Sequence, residues 1–228
     1  MSFLARVADE CRYPYLSPAE LKARLEAKPI LYLPIGSLEW HNEHLPLGTD
    51  TFHALALAER LCRALGGVIL PAFWWNTGTA HDCFCTYHMP EEAYRATLKN
   101  ICLGLRPIPA KVLVLINGHG GKFQYETPPV VAEELNREGF PMRVVVADPY
   151  YLGKSSPTRI DHADTNETSV AMELIPQLVH MERKSGPDIR SGAMPFAKGP
   201  PSAEKGRQLW EAFFADAKVL IAKACTQG

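Results

Sequence analysis

Apolar residues fall along this chain in two alternating rhythms. Pro29-Ile-Leu-Tyr-Leu-Pro-Ile35, Val68-Ile-Leu70, Lys111-Val-Leu-Val-Leu-Ile116 and Met142-Arg-Val-Val-Val-Ala147 are short, almost unbroken apolar runs. Runs of this length, rich in β-branched residues, read as strands buried on both faces of a parallel sheet. Between them lie longer stretches with helical spacing: 18–27, 50–65, 90–105, a stretch beginning near Tyr125 and covering Val130 to Arg137, 166–179 and 204–224. Strands alternating with helices predict an α/β fold, a three-layer α/β/α arrangement with a mostly parallel central sheet. No repeat or composition break divides the chain, so residues 1–228 are expected to form one domain.

Local signals punctuate this pattern. Ser17-Pro-Ala-Glu20 combines an N-cap serine, a first-turn proline and a glutamate at the third position, the signature of a capped helix start. Gly66-Gly67 closes the helix before the second strand. Pro176 is expected to bend or break the helix over 166–179. Residues 1–16 read as an irregular lead-in, and 71–90, 151–164 and 184–203 read as loops. The first of these carries Trp74, Trp75, His81, Phe84, Tyr87 and His88, an aromatic content that points to a functional loop rather than disorder.

Composition narrows the classes of function. Hydrophobic residues make up 46% of 228, enough for a sizeable core. Lys plus Arg number 24 and Asp plus Glu 25, a balance that gives no electrostatic case for nucleic acid or an anionic membrane. The first ten residues do not resemble a secretory signal, and no apolar run has the length of a membrane span. Six cysteines without a framework spacing are expected to be reduced thiols of a cytoplasmic protein, with Cys83-Phe-Cys85 only a weak metal signal.

Three clusters carry candidate chemistry. Gly36-Ser-Leu-Glu-Trp-His-Asn-Glu-His-Leu-Pro-Leu-Gly-Thr-Asp50 leaves the first strand with Glu39, His41, Glu43, His44 and Asp50 close together. Carboxylates and imidazoles are the ligands borderline divalent metals prefer. Residues two apart in an extended segment face the same side, so Glu39 and His41 can address one point. Glycines and a proline then turn the loop and can return Asp50 to it. Asn117-Gly-His-Gly-Gly121 ends the third strand, where glycines permit close approach and positive φ and expose His119. Asp161-His-Ala-Asp-Thr-Asn-Glu-Thr-Ser169 places Glu167 in the first turn of a helix capped by Thr165 or Asn166, with His162 beside it. Each cluster also has a plainer reading: a solvated acidic loop, a structural turn containing a histidine, and an acid favoured by a helix dipole. A phosphate-cradling role for Gly118–Gly121 lacks the spacing of known glycine loops.

Taken together, the three clusters resemble the creatininase family of metal-dependent amidohydrolases. That family carries Gly-Ser-x-Glu-x-His-Gly-x-His-Leu-Pro-x-x-Thr-Asp, Asn-Gly-His-Gly-Gly-Asn and His-Ala-Gly-x-x-Glu-Thr-Ser, in this order, and the resemblance spans roughly residues 30–180. It implies a site for two divalent metals, with zinc expected first and manganese or iron as alternatives. Glu39, His41, Asp50 and His119 match the family's ligand positions, with Asp50 as the bridge. Creatininase proper has a glutamate where this chain has Gly121, so Glu167 is the natural fifth ligand. His162 matches a position assigned to proton transfer, and His162 and Glu167 are the expected catalytic residues. Asn42, Lys122 and Asp164 depart from the pattern, as does Phe84-Cys-Thr-Tyr87, so creatinine is not carried over as substrate.

The resulting expectation is hydrolysis of a C–N amide bond in a small, cyclic or planar molecule by a metal-activated water. Trp40, Trp74, Trp75, Tyr87 and Lys122 are candidate substrate-binding residues, with core packing an equal alternative for Trp74 and Trp75. Rival readings are a formamide deformylase or peptidase-type member of the family, and a non-catalytic metal-binding oligomer. The resemblance also implies a homo-oligomer, often hexameric.

Overall fold

The computed structural model describes residues 9–77, 85–148, 161–184, 196 and 198–227. Its strands are β1 (Ile30–Ile35), β2 (Val68–Ile69), β3 (Val112–Asn117) and β4 (Arg143–Ala147). Its α-helices are α1 (Pro18–Ala27), α2 (Thr49–Leu65), α3 (Glu91–Gly104), α4 (Lys122–Arg137), α5 (Thr165–Leu174) and α6 (Ala203–Gln227). The strands form one parallel sheet in the order β2-β1-β3-β4, as the apolar runs predict.

β1 and β3 are buried at every position, and their alternate side chains serve two separate apolar layers. Ile30, Tyr32, Val112, Val114 and Ile116 pack under α2 and α6, against Leu57, Leu61, Trp210, Phe213 and Ile221. Leu31, Leu33, Ile35, Leu113 and Leu115 pack on the other face against Tyr94 and Leu98 of α3 and Val131 and Leu135 of α4. At roughly 1.5–3 kcal/mol per fully buried large apolar side chain, these two layers dominate the folding energy and fix the expected three-layer arrangement.

The winding of the sheet positions the site. From β1 the chain crosses through α2 to β2 on one flank, whereas β3 lies on the other flank of β1 and leads through α4 outward to β4. The connections leaving β1 and β3 therefore part to opposite faces and open a crevice at the carboxyl ends of those strands. In open parallel sheets this reversal is where ligands bind.

Several local expectations hold and others shift. Ser17 and Glu20 form a reciprocal capping box at α1. Gly66 and Gly67, both at positive φ, end α2. β2 is shorter than its apolar run, and Pro34 supplies a reason. Leu70 N–H donates to Tyr32 O, but Pro34 has no N–H for the next rung, and pairing resumes only where Phe73 N–H donates to Pro34 O. α5 stops at Leu174, and Pro176 starts a separate 3-10 turn, so the helix expected over 166–179 is broken rather than bent. α4 begins at Lys122, three residues before the expected start, and runs through Pro128 and Pro129. Its first turn is tied down by Gln124, whose Nε2 donates to Gly36 O and whose Oε1 accepts from Thr77 N–H. Tertiary anchoring here outweighs the two helical hydrogen bonds the prolines forfeit. No helix of the described residues is long and apolar enough to cross a membrane. Cys11, Cys62, Cys85, Cys102 and Cys225 are free thiols, while Cys83, His81, Phe84 and most of the loops expected over 151–164 and 184–203 lie outside the described residues.

Candidate metal centre

Two glycines let the polypeptide assemble this centre. A Cβ on Gly36 would overlap Thr51, and one on Gly118 would overlap the carbonyl oxygen of Asp50. Only glycine allows the start of α2 to sit directly against the ends of β1 and β3. Gly118 N–H donates to Ile35 O at 2.8 Å, and the Thr51 hydroxyl donates to Ser37 O at 3.1 Å, which locks the three segments together. Asp50 thus occupies the first turn of α2, where the helix dipole favours an acid. Between them the loop closes through Glu39 N–H to Leu47 O, with Asn42 at φ 60° supplying the left-handed turn where the family has glycine. Gly118 serves close approach, and none of the glycines around His119 is at positive φ, which among the described residues is adopted by Gly66, Gly67, Gly139 and Gly199.

Six side chains from the three sequence clusters converge. Ligating atoms of Glu39, Asp50 and His119, of His41, Asp50 and Glu167, and of Glu39, His41 and His162 form three groups, each with all its atoms within 4.8 Å of one another. Asp50 belongs to two of them through different oxygens: Oδ2 is 2.7 Å from His119 Nδ1, and Oδ1 is 3.3 Å from His41 Nε2. Glu39 Oε2 lies 3.1 Å from His119 Nδ1 and 3.9 Å from His162 Nδ1. Glu167 Oε2 is 3.6 Å from His41 Nε2. His119, expected to be exposed, is buried with the rest, and only His162 retains substantial exposure, 25% of its side chain.

Burial sets the electrostatics. It raises Glu39 and Asp50, but the facing imidazoles, His119 for Glu39 and His41 with His119 for Asp50, outweigh it and leave both carboxylates below their usual range. Glu167, with fewer favourable neighbours, is pushed up to about 7 by burial against the pull of His41. Burial would also lower His41 and His119, yet Glu167 and Asp50 carry His41 well above its ordinary value, and Glu39 and Asp50 carry His119 to about 10. His162 goes the other way, down to about 4, through burial and then the charge of His41.

A ring of further groups, illegible in the sequence, holds these side chains. The Ser37 hydroxyl donates to Asp50 Oδ2 at 2.5 Å, and His41 Nδ1 sits 2.9 Å from Glu39 O. Ala163, at φ 48°, donates its N–H to Glu167 Oε2 at 2.5 Å, while Lys184 Nζ donates to Ala163 O at 3.1 Å. Asp161, rather than Thr165 or Asn166, caps α5: its carboxylate accepts from the N–H groups of Asn166 and Glu167. Behind His119, Asn117 Nδ2 donates to His119 O and to Asp148 Oδ2. His44, from the first cluster, turns away from the centre to meet Thr168 Oγ1 at 2.9 Å. Glu43 turns away as well, accepting from the Trp40 indole at 3.3 Å.

The expected substrate-binding residues divide. Trp74 packs edge-on against Phe52, 5.6 Å between ring centres, and against Gly48, so it braces the loop as a core residue does. Trp40 packs against the small apolar group of Leu45, Ala163, Ala171 and Ile175. Trp75 and Tyr87 pair at 4.6 Å and remain 44% and 40% exposed. Lys122 is exposed at the start of α4, over the ring of Phe123.

Comparison with known proteins identifies the family and the fold. Relatives include a 3-dehydro-scyllo-inosose hydrolase of Thermotoga maritima, 25% identical over 72% of this chain and 56% of its own length. A mycofactocin precursor peptide peptidase of Mycobacterium ulcerans is 29% identical over 78% of this chain and 70% of its own. A creatinine amidohydrolase of Pseudomonas putida is 27% identical over 72% of each. The chain thus spans little more than half the length of the Thermotoga relative. Among solved structures, a creatininase mutant superposes with a TM-score of 0.77 at 21% identity, covering 93% of this chain and 98% of that one. Others of the same fold are described as a Zn-Zn type and a Mn creatininase. The family model described as creatinine amidohydrolase matches residues 14–220, and the chain therefore belongs to the creatininase family.

Proposed function

We propose that this protein is a metal-dependent amidohydrolase that holds two divalent ions and hydrolyses a C–N amide bond of a small, planar or cyclic substrate. The observation that carries the reading is the convergence of Glu39, His41, Asp50, His119 and Glu167 in overlapping groups that share Asp50. Their donor chemistry fits zinc or manganese, borderline or hard ions that take imidazole and carboxylate. So does their electrostatics. Buried carboxylates raise His41 and His119 and so favour protons there, and metal ligation replaces protons of this kind. Glu39 Oε2 is moreover a buried carboxylate oxygen that His119 Nδ1 approaches at 3.1 Å without a well-aligned hydrogen bond.

Glu39, Asp50 and His119 would hold one ion, and His41, Asp50 and Glu167 the other, with Glu167 filling the position that Gly121 cannot. Ions bound there supply Lewis acidity, polarising the amide carbonyl and lowering the pKa of a water toward roughly 7. His162 is the least buried imidazole of the group and lies 3.9 Å from Glu39, which supports a role in relaying a proton to the leaving nitrogen. Ser37 holds Asp50, and Ala163 N–H and Asp161 hold Glu167 and its helix, so that the acidic groups keep their aim as substrate enters.

A second reading has its own support. The exposed Trp75–Tyr87 pair offers an aromatic surface to a longer substrate, and a relative is a peptide peptidase, so a peptide C–N bond is the alternative.

Metal per chain, measured by elemental analysis on protein purified without a metal-affinity tag, tests the core. About two equivalents in wild type and a clear drop in His119→Ala are expected; no metal and no uptake after dialysis overturns the reading. Turnover of lactams, formamides and ureides against short peptides then separates the two substrate classes. A His162→Ala variant that keeps its metal and loses turnover separates an enzyme from a metal-binding oligomer.

A further inference from the structure

A second cluster of reactive side chains lies at the opposite end of α2, about 18 Å from Asp50 by helical rise over twelve residues. Cys62, in the last turn of α2, is buried, and its thiol donates to Gly67 O at 3.3 Å. Cys11 lies beside the start of β2. Its carbonyl accepts from Ile69 N–H at 2.9 Å, and the next residue, Arg12, pairs with Ile69 as a parallel bridge. The two main chains are thereby fixed around Gly67–Ile69, and Cys11 packs against the same apolar cluster that contains Cys62. Both cysteines thus border the same short segment, Cys62 through its thiol on Gly67 O and Cys11 through its carbonyl on Ile69 N–H, and each thiol is the other's leading electrostatic partner.

The two sulfurs differ in the way a reactive and a resolving thiol differ. Cys11 is partly exposed, whereas Cys62 is nearly sealed. Contact with the Cys62 thiol and then the nearby Arg24 guanidinium bring Cys11 down to about 7, against burial and the carboxylates of Glu10 and Glu59. The same contact and burial hold Cys62 protonated well above its ordinary value. An accessible thiolate beside a second thiol is the arrangement on which peroxide oxidation ends in a disulfide rather than in over-oxidation.

We infer that Cys11 and Cys62 form a reversible, peroxide-sensitive disulfide that staples the segment bordering β2 to the end of α2. The Cys11 thiolate attacks one oxygen of hydrogen peroxide, giving the sulfenic acid and hydroxide. The Cys62 sulfur then attacks the Cys11 sulfur and loses its proton, and the hydroxyl leaves as water. Two thiols are oxidised by two electrons and one peroxide is reduced. A low-molecular-weight thiol restores the pair by exchange. None of these atoms belongs to the metal centre, so the proposal stands apart from the hydrolase reading.

Peptide mapping of the reduced full-length protein after treatment with hydrogen peroxide tests it, with free thiols alkylated before digestion. The expected result is a loss of about 2 Da and one cross-linked species joining the peptides of Cys11 and Cys62, cleaved by dithiothreitol and absent from Cys11→Ser. In Cys62→Ser, dimedone should trap Cys11 as its sulfenic acid; Cys62→Ala serves if the serine is not tolerated in the core. A cross-link through Cys225 or Cys85, peroxide adducts on Cys11 of wild type without a cross-link, or no reaction at Cys11 each overturns the inference.

Discussion

The two halves of the candidate metal centre are built by different means. Glu39, His41, Asp50 and His119 come from strand ends and the first turn of α2, and main chain packed on main chain sets their positions. Gly36 meets Thr51 and Gly118 meets the Asp50 carbonyl with no room for a further atom. His162 comes from the turn before α5 and Glu167 from its first turn, and side chains holding backbone groups position them: the Asp161 carboxylate on the α5 N–H groups and the Lys184 ammonium on Ala163 O. A half framed by backbone is stiff and intolerant of change. A half framed by side chains can be retuned one residue at a time, and His162, the residue proposed for proton transfer, sits in that half.

The largest effect expected is at the residue both metal positions share. In Asp50→Asn, elemental analysis should show both ions lost, and activity should fall at least about 10³-fold, the several kcal/mol of charge stabilisation that bound metal supplies. Retention of one ion with partial activity would mean that Asp50 serves a single position. His162→Ala belongs to the other half and should lose about 10²–10⁴-fold in kcat with metal content unchanged. If His162→Ala also sheds metal, the two halves are one unit and the contrast fails.

Gly118→Ala examines the frame rather than the ligands. Its new Cβ would strike the Asp50 carbonyl, and overpacking of main chain on main chain is relieved only by moving α2. The expected loss is about 3 kcal/mol in urea unfolding, accompanied by weaker metal uptake because Asp50 moves with its helix. A stable variant with full metal would show that the α2 start can retreat without cost.

The same contrast explains what the sequence made legible. The sheet was readable because β1 and β3 are buried on both faces and their apolar runs are continuous. Glu39, His41, Asp50 and His119 could be read as a group because strand-end loops in a parallel sheet have one place to meet. Glu167 was readable only through the family pattern, since an acid in a first helical turn has an ordinary explanation in the helix dipole. Ser37, Asp161 and Lys184 were not readable, because each acts through a partner distant in sequence or through a cap geometry that spacing does not fix: Ser37 reaches Asp50, and Lys184 reaches back 21 residues to Ala163. The early start of α4 was missed for the same reason, since Pro128 and Pro129 argue locally against a helix that Gln124 secures through Gly36 and Thr77. The depression of His162 could not be read either, because it depends on the burial of the ring and the charge of His41.

The smallest effect sharpens the comparison most. Asp161 accepts at 2.9 Å from Glu167 N–H and at 3.0 Å from Asn166 N–H, and it also receives Lys198 at 3.3 Å. In Asp161→Ala the first turn of α5 loses its acceptor, and a lost cap costs about 1 kcal/mol. Asp161→Asn keeps an acceptor oxygen but not the charge that suits a helix N-terminus, so its loss should be about half as large. Neither variant touches the four residues framed by backbone. Metal per chain should therefore stay at the wild-type level for Glu39, Asp50 and His119, while kcat falls modestly because His162 and Glu167 lose definition at either end of the same turn. Urea unfolding, elemental analysis and kcat on the three proteins read these outcomes separately. A stability loss in Asp161→Ala as large as that of Gly118→Ala would show that the side-chain frame carries as much of the structure as the backbone frame, and the two halves would then differ in chemistry but not in construction.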